Sequence, residues 1–216
     1  MRSAPVTSSQ SGPHPALSRL IERHRTAPYR KPPADYSRAA FAQFMRTWDG
    51  RAPLILDACC GTGESSFELA RRDPRALVVG VDQSAHRLAR RKPGAAPANA
   101  LLLRAEMADF WVLLDAARIR LHAHYMLYPN PWPKPAQVMR RWPAHPVFPL
   151  LLRLGGQIEC RSNWHVYVTE FAQGVEALTG HPACVSRFAP DAALTPFERK
   201  YLASGHRLWR ATVRLP

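Results

Sequence analysis

Pro53-Leu54-Ile55-Leu56-Asp57-Ala58-Cys59-Cys60-Gly61-Thr62-Gly63 decides the fold. An apolar run ends on an acid, two glycines follow, and a helical pattern opens at Glu64. Such a run reads as a buried strand, and glycines just past its end let backbone amides approach a ligand closely. A dinucleotide-binding fingerprint, G-x-G-x-x-G, would need a third glycine where Ser66 stands, so that reading is weak. The strand, loop and helix reading stands without it.

The same alternation repeats along the chain. Leu77 to Val81 is a strand ending at Asp82; Ser84 to Arg91 is a helix opened by a Ser cap; Ala100 to Leu103 is a third strand. Met107 to Ala117 is a helix and Arg120 to Tyr128 a fourth strand. Pro146 to Leu154 is a helix stopped by Gly155-Gly156, followed by a strand at Gln157 to Cys160 and a helix at Trp164 to Leu178. Two short strands close the chain, around Ala183 to Arg187 and His206 to Arg214. Strands separated by helical stretches build βαβ units, so the spacing predicts an α/β fold with a mostly parallel sheet. Upstream, Leu17 to Arg25 and Tyr36 to Trp48 read as helices. The expected division is a disordered Ser/Pro-rich tail over 1–16, a helical extension over 17–50 and one α/β domain over 51–216.

Lys and Arg total 30 against 16 Asp and Glu, a net charge of +14 with a pI near 10.6. Most of these cations are Arg, whose fork matches phosphate oxygens, so nucleic acid is the expected partner. The bland alternative is an Arg-rich composition that serves solubility alone. The chain shows no bilayer-length apolar run and no signal core, so a soluble, cytoplasmic protein is expected. The 4 cysteines include no C-x-x-C pair, and no H-E-x-x-H occurs, so no metal is expected.

Tyr128-Pro129-Asn130-Pro131-Trp132-Pro133-Lys134 follows the fourth strand. Its prolines exclude a helix interior or a central strand. A stiff loop at the carboxyl end of a buried strand is where open α/β sheets place ligands. Acids stand at successive strand ends, Asp57, Asp82 and Glu106. Singly each reads as a cap or turn residue; together with Gly61 and Gly63 they are more specific.

The acid-x-x-x-Gly-x-Gly pattern from Asp57 to Gly63 resembles motif I of Rossmann-like S-adenosylmethionine methyltransferases. That resemblance implies a mostly parallel seven-stranded sheet with helices on both faces, and S-adenosylmethionine as cofactor. It implies a cofactor site of Asp57, Gly61, Gly63, Asp82 at the ribose and Glu106 at the adenine amine. The second half is sharper. Tyr128 to Lys134 is similar to the F-P-D-P-W-x-K loop of tRNA guanine-N7-methyltransferases. Arg161-Ser162-Asn163-Trp164 through Tyr167 is similar to their T-D-W-x-x-Y segment, and Thr195-Pro196-Phe197-Glu198-Arg199 to their T-x-F-E-x-R motif. That family methylates the variable-loop guanosine at tRNA position 46, which implies tRNA as partner of a monomer or homodimer. The resemblance implies catalytic roles for Asn130 and Lys134, and substrate contacts from Lys134, Asn163, Thr195 and Glu198.

The chain departs from that pattern where Asn130 and Asn163 replace carboxylates with amides of equal shape, and where the basic run after the loop is reduced to Arg140-Arg141. Two other readings remain open. Asn130-Pro131-Trp132 also resembles the N-P-P-aromatic loop of methyltransferases acting on exocyclic amines, and a diverged RNA-binding protein could keep the fold without catalysis. Trp132 and Tyr167 can equally serve packing, and Lys134 can be a solvated loop charge.

Overall fold

The computed structural model describes residues 3–27, 29–90 and 96–216. In chain order the elements are α1 (Leu17–Thr26), α2 (Asp35–Thr47), β1 (Leu54–Ala58), α3 (Glu64–Arg72), β2 (Leu77–Asp82), α4 (Ala85–Ala89), β3 (Ala100–Arg104) and α5 (Met107–Ala116). They continue with β4 (Ala123–Leu127), α6 (Phe148–Arg153), β5 (Gly156–Ser162), α7 (His165–Thr179), β6 (Cys184–Phe188), α8 (Pro196–Ala203) and β7 (Leu208–Leu215). They build one 7-stranded sheet in the order β3-β2-β1-β4-β5-β7-β6. Only β7 runs antiparallel, against β5 on one side and β6 on the other.

Strands β1 and β2 are buried along their whole length, as central parallel strands covered on both faces must be. Alternate residues feed two layers. Ile55, Val78 and Ala123 pack with Leu69 and Ala70 of α3 on one face. Leu56, Val79, Met126 and Ile158 join Phe110, Trp111, Phe148 and Phe171 on the other. The extension belongs to this second layer: Phe44 of α2 is fully buried and meets Phe110 edge-on with ring centroids 5.9 Å apart. No helix among the described residues is long and apolar enough to cross a membrane.

The expected helices and strands are present, with shifted ends. The helix after Asp82 has the expected Ser84 cap, whose side chain accepts from the Arg87 amide; Arg91 lies outside the described residues. Strand β4 starts at Ala123 because the Leu121 amide bonds to Leu154 and leaves the ladder. Helix α8 had no counterpart in the hydrophobic pattern. Thr195 caps it by accepting from the Glu198 amide at 3.0 Å, with Pro196 opening the first turn. Residues 3–13, expected as a disordered tail, have no helix or strand, yet they lie hydrogen-bonded against the body.

A candidate active site at the carboxyl edge of the sheet

The strand order reverses between β1 and β4, and because these strands are parallel the loops after them leave the same edge of the sheet, where open α/β sheets bind ligands. On the β1 side, residues 59–63 turn sharply: Cys59, Gly61 and Gly63 have φ of 60°, 62° and 79°. A Cβ on Gly63 would stand 2.4 Å from Leu102, so this glycine is required by both angle and space. A Cβ on Gly61 would meet nothing within 4 Å, so the loop presents bare backbone to open space there.

The three acids converge on this loop. Asp57 is buried, and one carboxylate oxygen takes the hydroxyls of Ser65 and Ser66 at 2.6 and 2.7 Å. Its other oxygen has no donor among the described residues. Burial pushes the Asp57 carboxyl up to about 6, against the two serine bonds and with a smaller push from Asp82. Asp82 accepts from the Gly61 amide at 2.9 Å and from the Ser84 amide at 2.8 Å, which ties the β2 end to the glycine loop. Glu106 precedes α5 and receives the Tyr36 hydroxyl at 3.3 Å. With its amide nitrogen turned toward Glu106, Gln83 donates to both carboxylate oxygens at 2.8 and 3.2 Å. Burial raises the Cys59 thiol to about 12 and the Cys60 thiol well above its usual value, so neither is a thiolate nucleophile near neutrality.

On the β4 side, Tyr128 and Trp132 bracket the proline loop with φ of 56° and 46°. Left-handed backbone at non-glycine residues costs about 1–3 kcal/mol each and persists only where neighbours enforce it. The Tyr128 amide is held by the Arg161 carbonyl at 2.9 Å, and its hydroxyl donates to Glu198 at 2.6 Å. Burial and this bond to Glu198 push the Tyr128 phenol upward. The Trp132 carbonyl takes the Arg141 Nε at 3.1 Å, and Arg140 lies over the Trp132 ring at 4.7 Å. Asn130 and Lys134 sit on the exposed side of the loop. The Asn130 side-chain oxygen accepts from the Trp132 amide at 3.3 Å, a local turn that an aspartate could make equally well.

Glu198 joins the three motif segments. Its Oε1 accepts from Tyr128 and from Arg161 Nη1 at 2.9 Å, and its Oε2 accepts from the Leu194 amide at 2.6 Å. Arg161 also donates to Glu159 at 2.6 Å. The strand ends β4 and β5 and the start of α8 are thereby locked around one fully buried carboxylate.

A family model described as "Putative methyltransferase" matches residues 51–211. The chain belongs to that methyltransferase family. Curated relatives include a tRNA (guanine-N(7)-)-methyltransferase of Cupriavidus pinatubonensis, 27% identical over 210 residues, 87% of this chain and 74% of the relative. A protein of the same name from Bordetella parapertussis is 28% identical over 207 residues, 90% and 76% of the two chains. Among solved structures, the 16S rRNA methyltransferase KamB is similar with a TM-score of 0.57 at 20% identity, over 84% of this chain and 95% of its own.

In this methyltransferase the expected site residues fall into two groups along one edge. Asp57, Gly61, Gly63, Asp82 and Glu106 surround the glycine loop. Asn130, Lys134, Asn163, Thr195 and Glu198 lie around the proline loop and α8, but not in equal positions. Glu198 is fully buried, with three of its roughly four acceptor positions taken by protein donors. Thr195 is buried and its hydroxyl caps α8. Asn163 faces His206, with Nδ2 and Nδ1 3.0 Å apart. Sequence reasoning gave no role to Arg141, Glu170 or Gln10. Arg141 and Glu170 are both fully buried and paired at 2.6 Å. A lone acid on an otherwise apolar helical face, Glu170 among Val166, Tyr167, Phe171 and Val175, was the available signal.

Proposed function

We propose that this methyltransferase transfers a methyl group from S-adenosylmethionine to N7 of a tRNA guanosine, at position 46 of the variable loop. The observation that carries this reading is the convergence of the loop Tyr128 to Lys134, the Arg161–Trp164 segment and the Thr195–Glu198 turn on one buried carboxylate at the carboxyl ends of β4 and β5. Curated relatives with that name, aligned along most of the chain, and a net charge of +14 support it.

The glycine loop fits the cofactor. Open space before Gly61 admits a ligand against backbone, and the Asp57 oxygen without a donor suits a cationic methionine end. Asp82 would hold the ribose and Glu106, with Tyr36 and Gln83, the adenine. When bound, the cofactor supplies an electrophilic methyl on a sulfonium. That methyl would be available to the in-plane lone pair of guanine N7, with the carbon–sulfur pair left on sulfur, positive charge passed to the purine and no proton released. The protein therefore needs no general base; it needs alignment. The braced proline loop provides it, with the Asn130 amide facing the acceptor. Lys134 and Arg140 would meet tRNA phosphates. Glu198 would act mainly by holding Tyr128, Arg161 and the 194–195 turn in register, with Asn163 and Thr195 beside the base.

The test is incubation with labelled S-adenosylmethionine and unmodified bulk tRNA, followed by nucleoside analysis. Label in 7-methylguanosine is expected, and it disappears when position 46 is not guanosine. Label in an exocyclic amine, or none in tRNA, would sink this reading.

A further inference from the structure

Residues 3–14 run beside the proline loop and the end of α8 and reach Pro133, Arg141, Glu170, Ser204 and His206. Ser3 donates its amide to Ser204 at 2.9 Å, and its carbonyl receives Nε2 of His206, the partner of Asn163, at 2.9 Å. Val6 packs on the core. Ser8 donates its hydroxyl to the Pro133 carbonyl at 2.6 Å, directly before Lys134. Gln10 then bridges the buried Arg141–Glu170 pair: its amide oxygen accepts from Arg141 Nη2 at 2.9 Å, and its amide nitrogen donates to Glu170 at 3.1 Å. The His14 amide donates to the same Glu170 oxygen at 2.9 Å.

Arg141 is the hinge of this arrangement. One guanidinium holds the carbonyl of Trp132, whose backbone is left-handed, through Nε, and holds α7 and the N-terminal segment through its two remaining nitrogens. Its face lies over the Trp164 ring at 4.9 Å. Gln10 complements both ends of the ion pair because an amide offers an acceptor to the cation and a donor to the anion. An apolar residue there would satisfy neither, and a carboxylate would repel Glu170.

We propose that residues 3–14 form a strap that fixes the acceptor loop in its working geometry, with Ser8, Gln10 and Arg141 as positioning residues for methyl transfer. This rests on the reading that the proline loop receives the methyl acceptor. The segment does not touch the glycine loop in any of these contacts, so its effect falls on alignment of the acceptor and not on cofactor binding.

The test uses the full chain carrying Ser8→Ala and Gln10→Ala together. With labelled S-adenosylmethionine and tRNA, kcat is expected to fall on the order of tenfold to a hundredfold, the range that a small misplacement of reacting groups produces. Cofactor Kd should stay within about twofold, since the glycine loop is untouched. Hydrogen exchange at the Asn130, Trp132 and Lys134 amides should accelerate. Ser8→Thr, which keeps the hydroxyl, should recover most of the rate lost in Ser8→Ala, which a merely space-filling role would not require. Unchanged loop exchange, or equal losses of cofactor affinity and kcat, would overturn the strap. If the wild-type chain methylates no tRNA, the functional reading fails, while loop exchange still decides whether the strap holds the loop.

Discussion

Glu198→Gln separates a carboxylate that touches substrate from one that holds the site together. The wild-type group is fully buried and accepts three bonds: Tyr128 Oη at 2.6 Å, Arg161 Nη1 at 2.9 Å and the Leu194 amide at 2.6 Å. Glutamine has the same shape and one oxygen. If that oxygen serves Tyr128 and Arg161, the amide nitrogen faces the Leu194 N–H, donor against donor. If it serves Leu194, the nitrogen faces Arg161. Either way a buried donor is orphaned, at about 1–3 kcal/mol, and Arg161 is left with Glu159 as its carboxylate partner. Removing one partner of a buried pair costs about 3–5 kcal/mol. The isosteric amide recovers part of this, which leaves a net loss of about 2–4 kcal/mol. For a chain of this size each kcal/mol moves Tm by about 2–4 °C, so thermal unfolding should shift down by roughly 10 °C. Circular dichroism melts measure it directly, with cofactor titration and tRNA methylation on the same samples. A variant that melts with the wild type but has lost methyl transfer would refute the reasoning and make Glu198 a base contact.

Asp57 carries a pH signature. Its folded pKa, about 6, lies above the usual 3.8, so its favourable contribution is complete below 3.8 and is lost as pH rises through about 6. Two units correspond to about 3 kcal/mol. Asp57→Asn keeps an acceptor for Ser65 and Ser66 and never ionises, so it should gain roughly 2–3 kcal/mol on wild type between pH 4.5 and 7.5 in urea denaturation; a difference constant with pH would count against it. Gly80→Ala should weaken cofactor binding and lower Tm, because its Cβ would stand 2.2 Å from Ser66 Oγ, 2.6 Å from Leu102 and 3.0 Å from Cys60; overpacking of this kind costs about 1–3 kcal/mol. Calorimetric titration unaltered by the substitution would show that Ser66 yields freely. Asn130→Asp preserves the acceptor for the Trp132 amide and adds the missing charge, so the single-turnover methylation rate should rise about tenfold or more; no change would remove Asn130 from the chemistry. Binding of tRNA should weaken steeply with salt, with a log–log slope of several; a flat response would exclude phosphate contacts as the main source of affinity.

The sheet and the glycine loop were legible because both are written locally. Leu54 to Leu56 and Leu77 to Val81 are continuous apolar runs, and each is followed by an acid at the end of its strand. Helix α8 was not legible as a helix, because eight residues with mixed polarity give no clear stripe; its evidence was the Thr195-Pro196 cap. The network around Arg141 was hidden for another reason. Gln10, the Trp132–Arg141 stretch and Glu170 lie far apart in sequence, and nothing in a Ser/Pro-rich N-terminal composition signals that one amide completes a buried ion pair. Composition argues for disorder when a segment cannot bury enough apolar surface. Here the fixed end is supplied by partners already buried, and a few polar contacts suffice to lay the segment down.

The two asparagines then have different consequences. At Asn163 the amide lies 3.0 Å from Nδ1 of His206, whose Nε2 lies 2.9 Å from the Ser3 carbonyl, so one imidazole joins this side chain to the N-terminal segment. At Asn130 the amide keeps the turn that orients Trp132 and leaves this exposed side of the loop without a carboxylate. The proline loop and α8 are thus held by geometry, through Glu198, Arg161, Arg141 and Gln10, and on the proposed reading little charge is left there to favour a methylated purine cation. Such a site should owe its rate chiefly to alignment. That is why disturbing the strap and restoring the Asn130 carboxylate should move the rate in opposite directions.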